Sequence, residues 1–146
     1  MARYFTLDQA HAMLPKVESH IRQAVSLKQE MDKSEDSVRQ FLHRIQMMGG
    51  MVVDRKRLLG LRGRRDAIAS RLKEIIEEIQ EWGCQIKDLD TGLCDFPSMY
   101  QGQEVYLCWR LGESAIEYWH EIHAGFRGRK PIDDDFLRNH RGDLLE

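Results

Sequence analysis

The side chains best equipped for chemistry lie late in the sequence, between Asp88 and His123. Segments 105–111 (VYLCWRL) and 116–122 (IEYWHEI) are rich in β-branched and aromatic residues, and a short Gly112-Glu113-Ser114 connection joins them. Paired as a hairpin, they set Tyr106 opposite His120, Cys108 opposite Tyr118 and Arg110 opposite Ile116. Cross-strand partners point the same way, so one face gathers Tyr106, Arg110, Tyr118 and His120, with Asp88 or Asp95 from neighbouring strands. A guanidinium fork, an imidazole, carboxylates and phenolic hydroxyls together can bind a small anion. The plainer account is that these groups hydrogen-bond one another on a half-exposed sheet. The opposite face, with Val105, Leu107, Trp109, Leu111 and Trp119, is the one to pack on helices.

A metal reading draws on Glu117, His120 and His123. On a helix these residues, three apart, share a face, and Glu-x-x-His pairs serve in metal-binding bundles. Ser114 and Glu117 have the spacing of a capping box, which keeps a helical reading of 116–122 open beside the strand. On a strand, His120 and His123 point to opposite faces and the set dissolves. Cys84 or Cys108 could complete a zinc shell, although their spacing is no signature. Cys108, between Leu107 and Trp109, reads as a small buried hydrophobe rather than a nucleophile. No catalytic motif stands out, and a divalent ion is the one cofactor with any support.

A further cluster, Arg55, Lys56, Arg57, Arg62, Arg64 and Arg65, puts six cations into eleven residues. It could grip phosphates. No aromatic residues interleave it, and Glu30, Asp32, Glu35 and Asp36 on the facing helix are positioned to neutralise part of it. A nucleic-acid partner is therefore not expected.

What positions these groups is a pair of long helices. Ala10, Leu14, Val17, Ile21, Ala24, Met31, Val38, Leu42 and Ile45 keep a 3-4 apolar spacing that only Lys28 and Glu35 break. A second seam runs through Leu58, Leu61, Ile68, Leu72, Ile75, Ile79 and Trp82, broken by Arg65. Helix one spans 6–48, with Thr6 and Gln9 as a capping box, a kink or fresh start expected near Pro15, and Gly49-Gly50 as its stop. The polar stretch 28–36 is where a break is most expected. Helix two spans 54–82, capped by Asp54 and closed by Gly83. Gly60 and Gly63 each weaken it by about 1 kcal/mol relative to alanine. A turn centred near Met51 brings Glu35 close to Arg65, and Lys28 close to Glu74 or Glu78, as register-fixing pairs.

Residues 84–123 then form an antiparallel sheet, with Asp90-Thr91-Gly92 as a bulged turn between its first strands. Residues 124–146 read as loop and a largely unstructured tail. Length and composition hold one domain over 1–146, and a net charge of −2 neither requires nor excludes a polyanionic partner. The three cysteines are odd in number and lack a C-x-x-C, which argues against a disulfide framework and for a reducing cytosol. No apolar run suggests a signal peptide or a membrane span, so a cytoplasmic location is expected.

The run Gly83-Cys84-Gln85-Ile86-Lys87-Asp88-Leu89, with Gly92-Leu93 and Asp95-Phe96-Pro97, resembles a bacterial family of uncharacterised proteins, domain of unknown function 2203. VYLCWRLGE from Val105, Tyr118-Trp119-His120, and the run through Gly125-Phe126, Gly128-Arg129 and Pro131 resemble it too. The resemblance extends from Tyr4 to Pro131, departs from the pattern at Cys94, and implies a fold without implying an activity.

The fold expected is α+β: a long antiparallel helical hairpin followed by a small antiparallel sheet of three to four strands. Met13, Leu27, Phe41, Leu59 and Ile76 widen the apolar stripe beyond what one partner helix covers. A homodimer through the hairpins is expected, as a four-helix bundle. The function expected is a dimeric scaffold or adaptor for another macromolecule such as a protein, with no evident catalytic motif. The alternative is a small-anion or metal-ion binding protein, or an enzyme, with its site on the sheet around Arg110 and His120.

Overall fold

The structure is a computed structural model and describes residues 3–49 and 55–143. Two long helices, α1 (Leu7–Met47) and α2 (Arg55–Glu81), pack antiparallel and carry a small sheet at one end. The capping box at the start of α1 is present: the Thr6 hydroxyl accepts from the Gln9 backbone while Gln9 reaches back to the Thr6 N–H. The helix runs unbroken through Pro15 and through the polar stretch 28–36. Neither a fresh start at Pro15 nor a break in the polar stretch occurs, because tertiary packing of the apolar stripe holds what local propensity would loosen. Met48 caps α1, and Gly49 follows at φ +72°. The Gly50, Asp54 and Met51 assignments lie outside the described residues.

The helical register differs from the one centred on Met51. His20 pairs with Glu78 at 2.7 Å, and Arg57 stacks on Phe41, which shifts α2 by about one turn. The proposed register pairs are therefore absent. Lys28 instead pairs with Asp32 at 2.9 Å and Asp90 at 3.5 Å, and Arg65 pairs with its neighbour Asp66 at 3.2 Å.

The sheet has six strands: β1 (Gln85–Asp88), β2 (Leu93–Tyr100), β3 (Gln103–Arg110), β4 (Tyr118–Glu121), β5 (Lys130–Pro131) and β6 (His140–Arg141). β1 through β5 lie side by side in chain order, and β6 adds to the free part of β2. Every described pairing is antiparallel. β2 continues through Pro97 because β1 ends before it, so no ladder bond is lost. The Pro97 carbonyl accepts from the Phe5 N–H instead, at 2.7 Å. Gly92, at φ +71°, turns β1 into β2 around a bulge; a Cβ there would lie 2.6 Å from the Leu111 Cβ.

The core lies between the helices and one face of this sheet. Ala10, Leu14, Val17 and Ile21 from α1, with Leu72, Ile75 and Ile79 from α2, meet Phe96, Leu107 and Trp109. Burial fades along the hairpin: Leu42 is 39% exposed and Leu59 69%. Met13, Leu27 and Ile76 of the flanking stripe are partly buried against the core.

Two further sequence expectations are overturned. The tail is structured: α3 (Asp134–Asn139), capped by Asp133, buries Phe136 against Trp119, Tyr100 and His140. His140 then accepts the Leu7 N–H at the start of α1 (2.9 Å), so the tail helps cap the first helix. Cys84 and Cys94 form a disulfide across the β1–β2 hairpin, with Cα atoms 6.8 Å apart. An odd cysteine count is one bonded pair and one free thiol, Cys108, and the inference of a reducing compartment loses its basis. No described helix is long and apolar enough to cross a membrane.

Truncating Phe136 to alanine should cost about 3–5 kcal/mol, whereas Leu59→Ala should stay within about 0.5 kcal/mol. Urea unfolding of the two variants checks this; equal effects would mean the tail is not docked.

Candidate functional site

The strand pairing brings Asp95 of β2, Cys108 of β3 and His120 of β4 together on the sheet face away from the helices. Asp95 is directly opposite Cys108, Cys108 opposite Tyr118, and Tyr106 opposite His120. Asp95, Cys108 and His120 are all buried, at 1%, 0% and 3% exposure. The His120 Nε2 lies 3.1 and 3.2 Å from the two Asp95 carboxylate oxygens. One donor atom from each of the three residues falls within 4.8 Å of the others.

This face is covered by its own long side chains and by the chain that follows β4. Arg129 spans Tyr118 at 4.2 Å and Phe126 at 4.7 Å. Its guanidinium donates to both Glu113 carboxylate oxygens (2.7 and 2.9 Å) and to the Cys108 carbonyl (3.3 Å). Its Nε is buried without a hydrogen-bond partner among the described residues. Lys87 lies over the Tyr106 ring at 4.5 Å.

The His120 Nδ1 donates to the Glu121 carbonyl at 2.7 Å. A carbonyl only accepts, and the Asp95 carboxylate facing Nε2 also accepts when ionised. Without another ligand, only the imidazolium satisfies both. Burial pulls the His120 pKa down, but the Asp95 hydrogen bond and the Glu121 carbonyl outweigh it and hold it above its ordinary value. Burial first, then the Asp95 charge and hydrogen bond, push the Cys108 thiol up to about 12. Cys108 is therefore protonated at neutral pH and is no free nucleophile.

Of the residues singled out for anion binding, Tyr106, Tyr118, His120 and Asp95 share this neighbourhood. Arg110 is on the same strand face but at its exposed edge, beyond the end of the β3–β4 ladder. The β3–β4 ladder stops at Cys108–Tyr118, Arg110 pairs with Leu93 on the other side, and its exposed guanidinium rests on Phe126. Asp88 serves the β1–β2 turn, accepting from the Asp90 N–H (2.9 Å) and the Thr91 hydroxyl (3.2 Å). In the metal set, residues 118–121 are strand, so Glu117 and His123 are exposed and apart from buried His120. Cys84 is bonded to Cys94 and unavailable. Cys108 and Arg129 are the members that the sequence reading undervalued. The strand register already set Cys108 on this face; Arg129 had no signal beyond its place in the Gly128-Arg129 run.

Residues 3–132 match the family described as uncharacterized conserved protein, DUF2203, and the chain belongs to that family. No curated protein matches the chain, and no solved structure does.

The raised His120 pKa has a sign that can be checked. Its stabilisation is fully present below the unfolded value of 6.5 and is lost as pH rises through the folded value. Urea unfolding in chelator from about pH 6 to 9 should show falling stability. Asp95→Asn should flatten that slope, and an unchanged slope would detach His120 from Asp95.

Proposed function

We propose that the chain is a metal-binding protein that holds a zinc-like divalent ion between Asp95, Cys108 and His120. The observation that carries this reading is the convergence of a carboxylate, a thiol and an imidazole within 4.8 Å at fully buried positions on three adjacent strands. Thiolate, imidazole and carboxylate together suit zinc; magnesium and calcium take oxygen donors. The Glu121 carbonyl on Nδ1 supports it further, because a hydrogen bond there orients a histidine whose Nε2 is the ligand. The ion would displace the Cys108 and His120 protons, so affinity rises with pH.

Three protein donors leave a fourth position for water or a small anion. Arg129, beside Cys108, supplies positive charge there. The anion reading thus survives in a narrower form, with Arg129 in the role first given to Arg110. No reaction is assigned to the site.

Zinc or cobalt titration of chelator-stripped protein should give one equivalent bound and a rise in stability of about 2.7 kcal/mol at a hundredfold excess over Kd. Bound cobalt should show thiolate charge-transfer absorption that Cys108→Ser removes. A protein that neither binds nor is stabilised would defeat the metal reading.

A second reading, a homodimeric scaffold or adaptor for another protein, is favoured by the apolar tip of the hairpin. Met47 is 74% exposed and Met48 68%, beside half-covered Leu42. Burying these against a second copy would complete a four-helix bundle. Sedimentation at micromolar concentration should find a dimer that Met47→Glu with Met48→Glu dissociates; a folded wild-type monomer would dismiss it.

A further inference from the structure

The outer end of the helical hairpin holds two chemistries side by side. Beyond Val38 no described residue of α1 is buried; Leu42, Met47 and Met48 there are exposed, as is Leu59 on α2. The other large apolar side chains exposed among the described residues are Ile122, Phe126 and Leu137, so four of seven gather on this arm. The sequence there is also basic: from Val38 to Arg65 it has eight arginines and lysines against Asp54 alone. Three of the eight are engaged. Asp36 pairs with Arg39, Asp66 pairs with Arg65, and Arg57 lies against Phe41. Asp32 of α1 is held by Lys28 and offsets none of the rest. Arg44, Arg55, Lys56, Arg62 and Arg64 are exposed, with no ion pair or side-chain hydrogen bond among the described residues.

The two chemistries follow a definite order along the arm. His20 beside Glu78 and Phe41 beside Arg57 fix how the helices pair, which sets Arg55 level with His43 and Lys56 level with Leu42. With Arg44 they form a basic layer roughly 5–8 Å behind Met47 and Met48. The sequence carries no charge from Ile45 to Val53, so this layer holds the last described charges before the end of the hairpin. Arg62 and Arg64 lie roughly 9–14 Å farther back. Met48 stands roughly 30 Å along α1 from Lys28, whose partner Asp90 belongs to the sheet end of the molecule. A flat surface can therefore meet the tip without reaching the sheet.

We propose that the end of the hairpin docks on an anionic lipid surface. Met47 and Met48 enter the boundary between headgroups and acyl chains, and Arg44, Arg55 and Lys56 rest among the lipid phosphates. A bilayer presents the two chemistries in the matching order. Apolar groups settle about 5–10 Å deep at that boundary, while long cationic side chains keep their charges at the headgroups. Neither half suffices alone, because a small apolar anchor gives only marginal, reversible binding without a basic patch beside it. A second copy docked tip to tip would cover the methionines but set two basic layers against each other. Duplex nucleic acid would answer the cations and leave the methionines in water. The lipid surface competes with the dimer reading for Met47 and Met48. It is separate from Asp95, Cys108 and His120 and stands without them.

Flotation of the full chain with phosphatidylglycerol–phosphatidylcholine vesicles, and with phosphatidylcholine vesicles alone, tests the proposal. At about 0.1 M salt, charges are screened beyond about 10 Å. The anionic vesicles should carry the protein, the neutral ones should not, and added salt should release it. Arg55→Gln with Lys56→Gln should weaken binding by about thirtyfold. Met47→Ser with Met48→Ser should weaken it by about tenfold. Arg62→Gln with Arg64→Gln, set back from the surface, should weaken it by less than about threefold. All six side chains are exposed, so melting temperatures should stay unchanged, which separates lost docking from lost folding. An equal loss in the Arg62 and Arg64 variant would point to a side-on polyanion such as duplex nucleic acid and overturn the proposal. So would no binding to anionic vesicles, equal binding to neutral ones, indifference to either tip variant, or a dimer that buries Met47 and Met48.

Discussion

A strand pair buried on both faces offers no water to a polar side chain, and β2 with β3 is such a pair. From Cys94 to Ser98 and from Val105 to Trp109 every residue is buried. On the helix side the solution is apolar: Phe96 and Leu107 face each other across the ladder in the shared core. On the other side the ladder delivers a carboxylate, a thiol and an imidazole to one neighbourhood, where each must satisfy the others. Their protonation follows from that confinement. His120 is held above its ordinary pKa by the acceptors around it, and Cys108 is held neutral by burial.

Histidines recur where backbone donors would otherwise be orphaned. His11 on α1 accepts the Ile116 N–H at 3.0 Å, just before β4, and His140 accepts the Leu7 N–H at the start of α1. These bonds tie the ends of the chain to the sheet and fix where β4 begins. The start of β4 in turn sets which residues oppose β3, so His120 reaches Asp95 through backbone pairing made elsewhere.

What the sequence disclosed follows the reach of each signal. A three-residue connection with alternating β-formers gave the β3–β4 register, including Tyr106 opposite His120 and Cys108 opposite Tyr118. It could not reveal that pairing ends before Arg110. The apolar seams identified both helices, but a heptad seam looks nearly the same after a slide of one turn, so the Lys28 and Glu35 pairs were misplaced. α3 has six residues and a single buried aromatic, too few for periodicity to register. Arg129 arrives from a loop and meets the site through ring faces and Glu113, contacts that leave no spacing to read.

The ion pair between Lys28 and Asp90 marks where the sheet ceases to support the helices. Before it, α1 buries Ala10, Leu14, Val17, Ile21 and Ala24; beyond it, Ser34 and Val38 are its only buried positions among the described residues. The outer hairpin is thus held by one seam and the inner part by a three-sided core, so local stability falls toward the tip. Asp95, Cys108 and His120 sit at the rigid end, on the face the helices do not touch. A side chain altered on the outer hairpin changes what that arm can dock against without moving the strands that set the distances among these three.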